Sequence, residues 1–187
     1  MIDVNSVAVV IAGGRSSRMG RDKALLPFGA FSTLAEFQYS RLSRIFSKVY
    51  ISAKSNKFSF NVEVIEDRYE ASSPLVALIS IFETLNESTI FVLSVDAPFV
   101  NEETIGRLYA RLNSVSDVIV AKSNNGLEPL CAIYRRTFLE KAKNFLEEER
   151  HKLKSLFSEL IVDEVEIDEA CFMNLNYPAE YEEALRE

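Results

Sequence analysis

The segment AVVIAGGRSSRMGRDKALLP, residues 8 to 27, ends an apolar run at the adjacent glycines Gly13 and Gly14 and then brings Arg15, Arg18, Arg21 and Lys23 in quick succession. Glycine, lacking a Cβ, lets the backbone take positive φ and approach a ligand closely. Consecutive free N–H groups in such a turn can form an anion-binding nest. Arg18 and Lys23 can add charge to the same anion, the guanidinium as a bidentate fork and the ammonium as a compact point charge. A phosphate-rich ligand suits this set, and a tight turn followed by a solvated basic loop is the competing reading. The loop is not a Walker loop, because the spacing to Lys23 is wrong and Ala24 follows it, and it lacks the G-x-G-x-x-G spacing of a dinucleotide fingerprint.

Acidic residues close two further apolar runs. Asp96 follows IFVLSV and precedes Ala97 and Pro98, and Asp67 follows VEVIE. A buried ionised carboxylate is costly unless it is paired or metal-bound. Asp96 therefore reads as a ligand for a hard cation such as magnesium, which bridges carboxylates to substrate phosphates, or else as a cap or turn residue. Asp67 has the same two readings, since EDRYE could equally form an exposed turn with its own ion pairs. In FMNLNYPAEYEEAL, Asn174 and Asn176 precede Pro178. Their oxygens could reach a metal or a ligand, and they are also ordinary turn chemistry.

The elements that must position these groups alternate. Short β-branched runs, SVAVVIA, KVYISA, VEVIED, IFVLSVD and DVIVAK, with PLCAIY and DEVEID later, are separated by helical patterns. Leu34, Phe37, Leu42, Ile45 and Phe46 share one helical face, and Ile105, Leu108, Tyr109 and Leu112 follow i, i+3, i+4, i+7. Ser73 before Pro74, and Asn101 before Glu102 and Glu103, read as helix starts. Such alternation predicts an α/β fold with a mostly parallel sheet covered on both faces. Ligands in these sheets bind beyond the carboxyl ends of the strands, where the glycines, Asp67 and Asp96 fall. SNNGLEPL reads as a turn into a strand, and FLEEERHKLKSLFSEL as a solvated, charge-laced helix pair, with a substrate-facing role as the competing reading.

The chain has 187 residues, 48% of them hydrophobic, which suits one domain spanning 1–187 with a buried core. A net charge of −7 argues against nucleic acid and anionic membranes as partners and makes the cationic loop a local exception. The start, MIDVNSVAVVIAGG, has Asp3 where a secretory signal would be basic, and its apolar run is too short to span a bilayer, so a cytoplasmic location is expected. Cys131, Cys171 and His151 are too few and too scattered for a disulfide framework or a zinc site.

IAGGRSSRMGRDKALLP resembles the opening signature of the molybdenum cofactor guanylyltransferases, L-A-G-G, any residue, S, any residue, R-M-G, any residue, D-K. The likeness continues in order through VIEDRYEASSPLVAL, VLSVDAPFV, LEPLCAIY and MNLNYPAEYEEAL, covering nearly the whole chain. It implies a Rossmann-like nucleotidyltransferase fold and transfer of GMP from GTP to the molybdenum cofactor, Mo-molybdopterin, with release of pyrophosphate. By position it implies nucleotide contacts at Ile11, Ala12, Gly13 and Gly14, a phosphate-binding lysine at Lys23 and a nucleotide-binding aspartate at Asp67. It further implies a Mg2+ ligand at Asp96 and metal or pterin contacts at Asn174 and Asn176. Arg18 and Lys23 would stabilise the departing pyrophosphate. Molybdoenzymes or cofactor-delivery proteins are the implied macromolecular partners. Ser73 and Ala77 replace the family's glycines around P-L, Ser52 stands where a nucleotide-contacting asparagine is usual, and Glu128 replaces a histidine before Pro129. The first three bear on base selectivity and Glu128 on the pterin side. Other readings of the same residues are a cytidylyltransferase or sugar-phosphate nucleotidyltransferase of the same fold, and a non-catalytic nucleotide-binding module.

Overall fold

The computed structural model describes residues 6–13, 22–172, 175 and 181. Strands β1 (Val7–Ile11), β2 (Lys48–Ala53), β3 (Val64–Glu66), β4 (Thr89–Ser94), β5 (Val118–Ser123), β6 (Gly126–Arg135) and β7 (Val162–Glu166) form one sheet in the order β3-β2-β1-β4-β6-β5-β7. β1 pairs in parallel with β2 and β4, β2 with β3, and β5 with β7. β6 is antiparallel to both β4 and β5 and alone runs against the rest. It reaches that position through the turn after Ser123, where Gly126 takes φ of +107°, a conformation that strains any residue with a Cβ.

Helices α1 (Leu34–Leu42), α2 (Pro74–Thr84), α3 (Glu102–Tyr109), α4 (Phe138–Glu147) and α5 (Leu153–Leu156) cover both faces. Ala8, Val10, Phe91, Leu93, Ile119 and Ile133 point to the side packed by α1 and α3. Val9, Ile11, Val92, Val118, Val120 and Ala132 point to the side packed by α2, α4 and α5. This is the period-two alternation of strands buried on both faces. Residues Leu75 to Phe82 of α2 are all buried, and each large apolar side chain there contributes about 1.5–3 kcal/mol.

The helix starts follow local chemistry. The Ser73 side chain accepts from Val76 N with Pro74 in the first turn, and the Asn101 side chain accepts from Thr104 N. Thr33 caps α1 by accepting from Glu36 N, while the Glu36 carboxylate accepts from Ser32 N, a reciprocal cap.

In three places the elements differ from the sequence pattern. α1 ends at Leu42, so Ile45 and Phe46 lie in the following turn, where Phe46 stacks on Phe91 with ring centroids 5.3 Å apart. The Ser43 hydroxyl donates back to Tyr39 O, the local competition that ends helices at such residues. VEVIED supplies only the three strand residues of β3, which lies at the edge of the sheet. The charged run expected to be a solvated helix pair instead breaks after Glu147, turns through Glu149 at φ of +57°, and buries Leu153, Leu156 and Phe157. The apolar positions within the run dock against the sheet, and that burial outweighs its net polarity.

Candidate active site at the carboxyl ends of the strands

β1 is the strand from which the chain proceeds in opposite directions across the sheet, with β2 and β3 on one side and β4 on the other. Strand pairing continues past this divide: Val95 N donates to Ile11 O at 3.0 Å, Ala12 N to Ser52 O at 2.8 Å and Asp67 N to Ala53 O at 3.1 Å. The ends of β1 to β4 are thus held rigidly next to one another.

Asp96 stands beyond the end of β4. The Ser94 hydroxyl donates to its Oδ1 at 2.6 Å, and Lys23 Nζ donates to its Oδ2 at 3.1 Å. The Lys23 and Asp96 side chains are 14% and 23% exposed, so opposite charges meet in a partly desolvated place that still opens to solvent. Lys23 begins a single 3₁₀ turn, Lys23–Leu25, which Asp22 caps through Ala24 N. Lys57 ties this turn to β1 by donating to both Asp22 Oδ2 and Ala12 O. Gln38, fully buried on α1, donates to Ser94 O and Val95 O, each at 3.3 Å, and so supports the turn that carries Asp96. Leu175 N reaches Asp96 O at 3.4 Å.

A cavity of about 220 Å³ lies at the carboxyl ends of β1 and β3, lined by Ile11, Gly13, Asp67, Ser72, Ser73, Pro74 and Ala77. Asp67 Oδ1 is buried there and finds no hydrogen-bond partner among the described residues. Burial pushes its carboxyl above the ordinary range, against a smaller opposing pull from Lys54. Gly13 is not crowded: among the described residues a Cβ would meet only Ala53 Cα, at an ordinary contact distance of 3.9 Å. The positive φ expected at Gly13 is not taken, since among the described glycines only Gly29 and Gly126 adopt it. Neither backbone strain nor packing within the described residues requires glycine at this position.

Of the other residues singled out from the sequence, Ser52 is buried opposite Ile11, its hydroxyl without a partner among the described residues, and Ala12 is buried with its carbonyl held by Lys57. Neither lines the cavity. Glu128 accepts from the Ser123 hydroxyl at 2.8 Å, across the β5–β6 hairpin. Gly14, Arg18, Asn174 and Asn176 lie outside the described residues, as do Arg15 and Arg21. Both cysteines are free. Among the described residues no helix is long and apolar enough to cross a membrane.

Three residues around the site are not singled out as site residues by the sequence. Lys57 and Gln38 are two, and His151 is the third, with Nδ1 3.3 Å from Ser73 Oγ on the cavity wall. Each arrives from an element distant in the chain and conforms to no motif.

The chain is similar to known proteins along nearly its whole length. Residues 8–165 match the MobA-like NTP transferase domain. A molybdenum cofactor guanylyltransferase of Campylobacter jejuni is 40% identical over 177 residues, covering 93% of this chain and 92% of that protein. A molybdenum cofactor guanylyltransferase of Helicobacter pylori (strain G27) is 32% identical over 189 residues, covering 97% of this chain and 92% of that protein. The crystal structure of molybdopterin-guanine dinucleotide biosynthesis protein A from Archaeoglobus fulgidus has the same fold, with a TM-score of 0.79 at 19% identity over 96% of this chain and 97% of that one.

Proposed function

The chain belongs to the MobA-like NTP transferase family, and from that premise we propose that it transfers GMP from GTP to the molybdenum cofactor and releases pyrophosphate. The relatives named for this reaction are 40% and 32% identical over nearly their whole lengths. The observation that carries the reading is the Lys23–Asp96 pair, 3.1 Å apart beyond the carboxyl end of β4, together with the cavity at the ends of β1 and β3, where an Asp67 oxygen finds no partner among the described residues. A cation for phosphates, an anion for a metal and a hydrogen-bond acceptor for a nucleoside then converge at the place where α/β sheets bind ligands.

The reaction joins a phosphate oxygen of the acceptor to the α-phosphorus of GTP. The bond from that phosphorus to the bridging oxygen breaks, and pyrophosphate leaves with the electron pair. An acceptor phosphate is already ionised at neutral pH, so positioning and charge neutralisation do most of the work. Lys23, anchored by the capped turn and by Asp96, offers its ammonium to the triphosphate and stabilises the charge on the departing pyrophosphate. Gly13 lines the cavity without a side chain and lets the chain lie close against the nucleotide.

Asp96 would hold a Mg2+ ion. Its carboxylate is a hard oxygen donor, partly exposed and fixed by Ser94, and no group of three or more His, Cys, Asp or Glu side chains among the described residues could hold a metal. That donor set suits magnesium, which is commonly shared between one or two carboxylates and substrate phosphates rather than enclosed in a cage of protein ligands. When bound, the ion supplies Lewis-acid neutralisation of phosphate charge.

The test is a thermal-unfolding series with each of the four nucleoside triphosphates at equal concentration in magnesium. A ligand bound only by the folded state raises the melting temperature by mass action. GTP should raise it most, and equal or greater stabilisation by CTP would move the assignment to a cytidylyltransferase.

A further inference from the structure

The wall of the cavity includes a hydroxyl, that of Ser73, whose partner comes from a different part of the chain. Ser73 lines the cavity at the start of α2. Its Oγ accepts from Val76 N at 3.3 Å and lies 3.3 Å from His151 Nδ1. His151 is the only histidine in the chain. We propose that His151 and Ser73 form a nucleotide-selecting pair, in which His151 orients the Ser73 hydroxyl so that its remaining hydrogen-bonding position addresses the nucleoside in the cavity. The inference rests on the reading that this cavity receives the nucleoside of the triphosphate substrate.

The argument turns on the small capacity of a hydroxyl, which has one proton to donate and two lone pairs to accept. Val76 N–H occupies one lone pair. If His151 Nδ1 carries a proton it takes the second lone pair, and the hydroxyl proton is left to donate into the cavity. If Nδ1 is bare, it takes the hydroxyl proton, and a lone pair is left to accept. In each tautomer Ser73 presents a single hydrogen-bonding role to a ligand, and switching that role requires the imidazole to change tautomer, whereas without His151 the hydroxyl need only rotate to suit any base. A group whose role is fixed discriminates between edges that differ in donors and acceptors, and a rotatable one does not.

The segment carrying His151 is held firmly enough to do this. Arg150 pairs with Glu148 and with Glu159, each at 3.0 Å, and its guanidinium lies 3.8 Å over the Phe145 ring. Leu153 and Leu156, just beyond His151, are buried in the core. Glu149, with φ of +57°, makes the turn between α4 and this anchored stretch. His151 is therefore delivered to the cavity wall between two fixed points.

The experiment is calorimetric titration of GTP, ATP, CTP and UTP, in magnesium and without acceptor, into wild type, Ser73→Gly, His151→Leu, His151→Asn and the Ser73→Gly/His151→Leu double variant. Glycine is itself an accepted N-cap, so α2 stays capped in Ser73→Gly. An asparagine amide can stand in for Nδ1. Ser73→Gly and His151→Leu should each reduce the preference for the favoured nucleotide by about three- to tenfold, the scale of one neutral hydrogen bond. The double variant should lose no more than either single one, and His151→Asn should retain most of the preference. The proposal is overturned by a wild type without preference, by a single variant that keeps the full preference, by equal loss for all four nucleotides, or by losses that add in the double variant. A wild type that favours a nucleotide other than GTP contradicts the proposed substrate instead, and the change in preference among the variants still decides the role of the pair.

Discussion

Asp67 and Asp117 stand at opposite ends of the sheet, one just after β3 and the other just before β5, and the protein treats their carboxylates in opposite ways. Asp117 is 5% exposed and fully engaged: Thr137 Oγ1 donates to Oδ1 at 2.6 Å, and Lys141 Nζ and Ile161 N donate to Oδ2, each at 3.0 Å. Burial pushes its carboxyl up, but these hydrogen bonds and the Lys141 charge outweigh burial and hold it below the ordinary range. It ties β5 to α4 and to the entry of β7. Asp67 leaves a buried oxygen without a partner among the described residues, and burial holds its carboxyl above the ordinary range. A satisfied buried charge fastens elements together, whereas an unsatisfied one keeps binding capacity in reserve for a ligand. Asp117, at the amino ends of the strands, is built in the first way and Asp67, at the carboxyl ends, in the second.

The largest expected effect belongs to the carboxyl end. Asp96→Asn keeps size and one acceptor but removes the charge, so pyrophosphate release should fall by orders of magnitude while the melting temperature of the unliganded protein stays near wild type. Lys23→Ala should lower turnover by about 10²- to 10³-fold, the scale of one lost charge-stabilising donor. Normal turnover in either folded variant would remove that residue from the chemistry.

At the amino end the pattern should invert. Asp117→Ala leaves the Thr137 hydroxyl and the Ile161 N–H without their acceptor and should cost about 2–3 kcal/mol in urea unfolding. Turnover per folded molecule should be unchanged. A variant as stable as wild type would show that the cluster fastens nothing.

The smallest effect sharpens the contrast through pH. The folded-state pKa of Asp117 is depressed, so its contribution to stability is fully present above the unfolded value and is lost as pH falls through the folded one. The pKa of Asp67 is raised, so its ionised form burdens the folded protein at neutral pH, and acidification through the raised pKa relieves that burden. Asp67→Asn should therefore be as stable as wild type or slightly more stable at neutral pH, with weaker nucleotide binding. The difference in stability should close as pH falls. A clear loss of stability at neutral pH would mean that Asp67 makes a structural bond.

How much of this the sequence discloses depends on chain distance. Asp96 was legible because it closes an apolar run, Lys23 because it lies in a recognisable signature, and the Ser73 and Asn101 caps because capping is local chemistry. Lys57, Gln38 and His151 were not legible, since they act on residues 45, 57 and 78 positions away, a range over which periodicity carries no information. The reversed direction of β6 was hidden for another reason, because an apolar run looks the same in either direction. The charged run at residues 145–160 misled because its few apolar positions, which decide burial, are outnumbered by its charges.

The most direct test of the account is product formation by the wild-type protein with molybdenum cofactor as acceptor and each nucleoside triphosphate in turn, in magnesium, with pyrophosphate and the joined dinucleotide measured together. The account predicts that GTP gives both products in equal amounts and faster than CTP, ATP or UTP. Faster turnover with CTP, or pyrophosphate release without a guanine dinucleotide, would contradict it.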